Sequence, residues 1–230
     1  MPLARRRLPY EVVPGIFALD RFAGAWCYLL TGDETILVDT GVPGRTRAIL
    51  RAIDRCGVTA GDVDQIVLTH FDVDHSGSAR SLAAALDAPV IIHTDDAPYL
   101  AAPEACPGSR TLLYWPWITW LLRWRPPVAD RLVKDGDVLG GWRVLHTPGH
   151  TPGSMSLLRD DVAVVGDALV CRRNRLRPNV RWLATDLDQQ KASVRALIQT
   201  GAGLVLPGHY SPCTDPDGLS NLARDLDAAA

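Results

Sequence analysis

The chain has 230 residues, of which 47% are hydrophobic, and a formal net charge of −2. That length fits one domain with an ordinary core, and so even a charge balance gives no electrostatic case for a nucleic-acid partner or an anionic membrane. The five cysteines are odd in number and none is spaced C-x-x-C, which argues against a disulfide framework or a cysteine-type zinc site and suits a reducing compartment.

Near the start, Arg5-Arg6-Arg7 is followed by Leu8-Pro9-Tyr10-Glu11 and not by an apolar stretch. No signal peptide is read, and a cytoplasmic location is expected. Glu11–Val13 and Ile16–Leu19 read as strands flanking Pro14-Gly15. Trp26–Leu30 and Thr35–Asp39 flank a polar hairpin-type turn. Arg45–Cys56 is an amphipathic helix with Ile49, Leu50 and Ile53 on one face and Gly57 at its end. Val63–Thr69 is a buried strand, Ser78–Leu86 a helix and Val90–His93 a short strand.

Between 98 and 130 the pattern breaks. Six prolines fall there, together with Trp115, Trp117, Trp120 and Trp124. The stretch reads as an insertion in a single domain covering 1–230, because it is too small to hold its own core. Its apolar run Leu112–Leu122 contains Pro116 and is too short to span a bilayer. Strands resume at Arg131–Val133, Trp142–His146, Met155–Leu158 and Val162–Val165. After them come a helix at Asp188–Thr200, a strand at Leu204–Leu206 and a closing helix at Leu219–Leu226.

The chemistry gathers in Thr69–Gly77, which places His70, Asp72, Asp74 and His75 within six residues where a strand gives way to a helix. In an extended chain, 70, 72 and 74 project to one side and His75 to another, so the loop can serve two neighbouring metals. His150 in a Gly/Pro turn, Asp167 after an apolar strand and His209 after Pro207-Gly208 share the same strand-end placement. His93 and His146 also end strands and read as hydrogen-bonded residues.

From Asp39-Thr40-Gly41 through His70–His75, Gly149-His150-Thr151, Gly166-Asp167 and Pro207-Gly208-His209, the ordered set resembles the metallo-β-lactamase superfamily. The resemblance implies an α/β fold, an αββα four-layer sandwich with a dinuclear site at one edge. Carried over by position, His70, Asp72 and His150 would bind one metal and Asp74, His75 and His209 the other. Asp167 would bridge them, and Asp39 would steady the loop from behind the ligands. The cofactor would be two divalent ions, zinc first, with iron or manganese as alternatives. A metal-bound hydroxide would be the nucleophile, with Asp74 as the catalytic proton acceptor.

The departure is Asp72, where the family pattern has His. Three carboxylates and a bridging hydroxide formally neutralise two divalent ions, which weakens the Lewis acid and admits harder metals. The reading is a hydrolase of a small-molecule ester, lactone or thioester with an apolar portion. The alternatives are a flavodiiron-like iron oxidoreductase without its flavodoxin domain, and a non-catalytic metal-binding member of the fold. Trp117 and Trp120 are candidates for a lid over the substrate, with a homodimer contact as the other role for the insertion. Arg172 and Arg173 are candidates for gripping an anionic group, against the plainer reading of a solvated Arg-rich loop.

Overall fold

The computed structural model describes residues 7–22, 25–106, 124–179 and 183–228. Trp115, Trp117 and Trp120 lie outside the described residues.

Seven strands form the first sheet in sequence order: β1 (Tyr10–Val13), β2 (Ile16–Phe22), β3 (Ala25–Leu30), β4 (Ile36–Val38), β5 (Gln65–Val67), β6 (Val90–His93) and β7 (Arg131–Val133). The first four pair antiparallel through short turns; from β4 onward the pairing is parallel. Parallel neighbours need crossovers, and helices supply them. They are α1 (Thr46–Arg55), α2 (Val73–Ser76), α3 (Ala79–Leu86) and α4 (Ala97–Ala101). The second sheet has the order β14 (Leu204–Pro207), β11 (Val162–Gly166), β10 (Met155–Arg159), β9 (Trp142–His146), β8 (Val138–Leu139), with β14 parallel to β11.

Three cores set the layers. One lies between the sheets and joins Tyr28, Val38, Val67 and Ile91 of the first to Val144, Leu157, Val164 and Leu206 of the second. A second packs Ile49, Ile53, Leu82 and Leu86 of α1 and α3 on the outer face of the first sheet. The third packs α5 (Leu187–Thr200) and α6 (Gly218–Asp227) on the outer face of the second through Val194, Leu197, Leu219 and Leu222. Strands covered on both faces should read as unbroken apolar runs, and β3, β6 and β14 are buried along their whole length. The result is the expected helix–sheet–sheet–helix sandwich.

Two local expectations change. The Arg-rich stretch after Asp167 is not a loop. It is a hairpin of β12 (Leu169–Arg172) and β13 (Arg175–Pro178), turning through Arg173 and Asn174, both at positive φ. Leu169, Cys171 and Leu176 anchor it in the third core. The flanks of the insertion also pack: Leu100, Cys106 and Trp124 are buried in the core beneath α1 and α3. No helix among the described residues is long and apolar enough to cross a membrane.

Candidate metal centre

The chain leaves β5 through Leu68, bends at Thr69 and His70, and is extended again at Asp72, whose backbone sits at φ −54° and ψ 144°. It then turns helical. His75 N and Ser76 N bond the Asp72 carbonyl at 2.9 and 2.8 Å, and Ser76 Oγ donates to the Phe71 carbonyl at 2.8 Å. The extended run through residue 74 expected from the sequence is therefore broken by that bend and ends at Asp72. Asp74 and His75 instead leave the single turn of α2. The division of the loop between two groups of donors survives, achieved by a helical turn and not by strand alternation.

His150, Asp167 and His209 converge on that loop. His150 Nε2 lies 3.2 Å from Asp72 Oδ2, and His70 Nε2 lies 3.4 Å from the same oxygen. His209 Nε2 lies 3.2 Å from Asp74 Oδ2 and 3.4 Å from His75 Nε2. Asp167 stands between the groups: Oδ2 is 3.4 Å from both His150 and His209, and Oδ1 is 3.4 Å from His75. Donors bound about 2.0–2.1 Å from one tetrahedral ion are about 3.3–3.4 Å apart. The seven side chains thus already have the spacing of two adjoining coordination shells.

The supports behind them fix which nitrogen faces inward. Asp39, at φ 57°, accepts from Thr69 N and from Thr69 Oγ1 at 2.8 Å each and lies 2.7 Å from His75 Nδ1. His75 Nδ1–H donates to that carboxylate, which turns Nε2 toward the other donors. Thr69 gives its hydroxyl proton to Asp39, so it accepts from His70 Nδ1–H at 3.0 Å. His70 Nε2 is buried with no hydrogen-bond partner, and so is Asp167 Oδ1. Buried polar atoms are rarely left so, and an imidazole nitrogen and a carboxylate oxygen are both donors to divalent ions. The residues fit a metal.

Electrostatics carries the same message. Burial opposes charge on His75, but Asp39, Asp167 and Asp74 override it and lift its pKa to about 10. Burial likewise disfavours the Asp167 carboxylate, yet the four histidines around it hold its pKa well below the ordinary carboxylate range. Without cations, protons on imidazole are what balance these acids.

Several supports gave no signal in the sequence. Asp96, after β6, accepts from Phe71 N at 3.0 Å, Thr151 Oγ1 at 2.7 Å and Gly153 N at 2.6 Å, binding the His70 and His150 loops together. Asn179 Nδ2 donates to Asp167 Oδ2 at 3.2 Å. Gly149, at φ +122°, lies against the backbone of Gln190 with no room for a side chain, which presses the His150 turn onto α5. Gly208 makes room for the site: a Cβ there would come 2.6 Å from His75 Cε1.

Of the substrate candidates, Arg172 stacks its guanidinium 4.0 Å above the ring of Tyr210, next to His209, and donates to the Tyr210 hydroxyl. Arg173 is exposed at the tip of the β12–β13 hairpin.

A sequence profile described as the metallo-beta-lactamase superfamily matches residues 20–209. The probable metallo-hydrolase YflN of Bacillus subtilis (strain 168) is 28% identical, with 97% of this chain and 95% of that protein aligned. An N-acyl homoserine lactonase of Bacillus sp is also 28% identical, over 58% of this chain and 57% of its own length. Among solved structures, the metallo-beta-lactamase family protein TTHA1429 from Thermus thermophilus superposes with a TM-score of 0.74 at 26% identity, covering 95% of this chain and 81% of that one.

Proposed function

The chain belongs to the metallo-beta-lactamase superfamily, and from that premise we propose that it is a dinuclear metal-dependent hydrolase of an ester, lactone or thioester with an apolar portion. A metallo-hydrolase is the coarser reading that its relatives carry. The observation that supports the dinuclear form is the spacing of the donors, 3.2–3.4 Å from Asp72 to His70 and His150, from His209 to Asp74 and His75, and across Asp167, with Asp74 and His75 3.9 Å apart. His70, Asp72 and His150 would hold one ion and Asp74, His75 and His209 the other, with Asp167 standing between the two groups.

Two divalent ions in such a site lower the pKa of a shared water toward neutrality and polarise the oxygen of the scissile group. The protein's own residues do the rest. Asp74, on the open side of the cluster beside His209, takes the proton of the attacking water and returns it to the leaving oxygen or sulfur. His70, His75 and His150, buried and fixed through their neighbours, keep the donors in place without rearrangement. The lactonase relative lends support to the lactone among the three substrate types.

Chelated and metal-reloaded protein assayed against an acyl lactone, an aryl ester, an acyl thioester and a phosphodiester tests the reading. Hydrolysis of a carbonyl substrate, lost with the metal and regained with it, is expected. Fully metal-loaded protein inert toward all carbonyl substrates overturns it. The position of Asp72 among the first donors supports a second reading, an iron oxidoreductase, since carboxylate favours harder ions. Iron content and consumption of dioxygen or nitric oxide separate the two.

A further inference from the structure

Outside the central cluster, one other set of described side chains has the make-up of a cation site. His93 ends β6 in the first sheet, His146 ends β9 in the second, and Asp95 follows β6 by two residues. One donor atom from each lies within 4.8 Å of the other two. We infer that His93, Asp95 and His146 form a further divalent-cation site, suited to zinc or nickel, that ties the two sheets together at the edge carrying the main centre.

The geometry is close to what an ion requires. Asp95 Oδ2 lies 3.9 Å from His93 Nδ1 and 3.8 Å from His146 Nε2. Tetrahedral donors are about 3.3–3.5 Å apart, so these two separations are a few tenths of an ångström too long. The two imidazoles are stacked at 4.0 Å between centroids and 13° between planes. Their in-plane lone pairs run side by side, and holding one ion requires the rings to swing open toward Asp95. His93 Nδ1 already accepts, from Asp95 N at 3.2 Å, and is therefore the unprotonated nitrogen. His146 Nε2–H donates to the Pro152 carbonyl at 2.9 Å; an ion would take the place of that proton, with the carbonyl at hand as a further oxygen donor.

The surroundings favour a cation. The Asp135 carboxylate accepts from His146 N at 2.8 Å, adding negative charge nearby. Burial, with the neighbouring His146 ring, holds the His93 pKa down to about 4, so no proton competes for this ligand at neutral pH. His93 is buried while Asp95 is 51% exposed, which leaves open positions for water and a path for entry. Two imidazoles and one carboxylate suit borderline ions such as zinc and nickel better than calcium or magnesium. The site also has leverage: Asp95 precedes Asp96, which binds the His70 and His150 loops together.

The test counts zinc. Metal-free full-length protein is dialysed against buffered zinc, passed through gel filtration and analysed for metal per chain, beside an Asp95→Asn/His146→Gln double variant. Wild type is expected to retain one more equivalent than the variant. Zinc should also raise the melting temperature of wild type further, because an ion bound only to the folded state stabilises it. Equal zinc counts in the two proteins overturn the site and leave only adventitious metal. If the double variant loses its native circular dichroism, Asp95→Asn alone replaces it, and equal counts there overturn the site in the same way.

Discussion

His70, Asp72 and His150 are sealed from solvent, with side chains 1, 9 and 1% exposed, whereas Asp74 and His209 in the adjoining group are 31 and 21% exposed around a fully buried His75. The contrast arises locally. Asp72 is itself extended and points under the His150 turn, while Asp74 is carried outward by the turn of α2. On the dinuclear proposal, the sealed donors would exchange their ion slowly, and the exposed donors would leave positions where a substrate can approach.

The largest test of that division is Asp72→Ala against His209→Ala. Outer partners of metal ligands are worth about 10–100-fold, so loss of a direct donor should cost activity on the order of 10²-fold or more in each. Elemental analysis should tell them apart: Asp72→Ala loses the sealed ion, His209→Ala the exposed one. If Asp72→Ala keeps its full metal content and activity, Asp72 is not a ligand and the contrast collapses. Asp72→His, restoring imidazole, should shift the metal retained toward zinc.

A smaller effect belongs to Asp39→Asn. Asn tolerates the left-handed backbone at this position but offers one acceptor oxygen where three donors converge. Metal affinity of the exposed group should fall about 10–100-fold, read by competition with a coloured chelator, with the fold intact by circular dichroism.

The smallest expected effect concerns protons. In metal-free protein the His75 pKa is raised from 6.5 to about 10. A raised folded-state pKa gives stability that is full below pH 6.5 and is lost as pH rises through 10. Melting temperatures of chelated protein should therefore decline across that window. Metal-loaded protein should lack this decline, because Nε2 then carries an ion. At pH 7.5 metal binding should release about one proton from His75, measured by calorimetry in buffers of different ionisation enthalpy.

The sequence made the candidate donors legible because each follows an apolar strand or sits in a Gly/Pro turn, and strand ends on one side of a sandwich converge. Asp167 after β11 and His209 after β14 sit side by side because those strands pair in parallel. What was not legible depended on tertiary contact. Asp96 is one polar residue in a polar turn until the loops of Phe71 and Thr151 fold against it. The β12–β13 hairpin escaped notice because its arginines suggested solvent and its turn, Arg173-Asn174, holds no glycine. The helical start at Val73 overrode the strand-like spacing of 70, 72 and 74 because the Asp72 carbonyl is claimed by His75 and Ser76.

Gly208 joins the sheets as well as making room for His75: its carbonyl accepts from Trp26 N at 2.8 Å and its N–H donates to Gly166 O at 2.7 Å. His209, next in the chain, is thus the last donor to be synthesised and comes into place only when β14 has threaded beside β11. A nascent chain on the ribosome can gather the sealed group before the exposed one exists. A chain broken off before residue 204 lacks the imidazole that stands beside Asp74, His75 and Asp167 and leaves the edge of β11 bare.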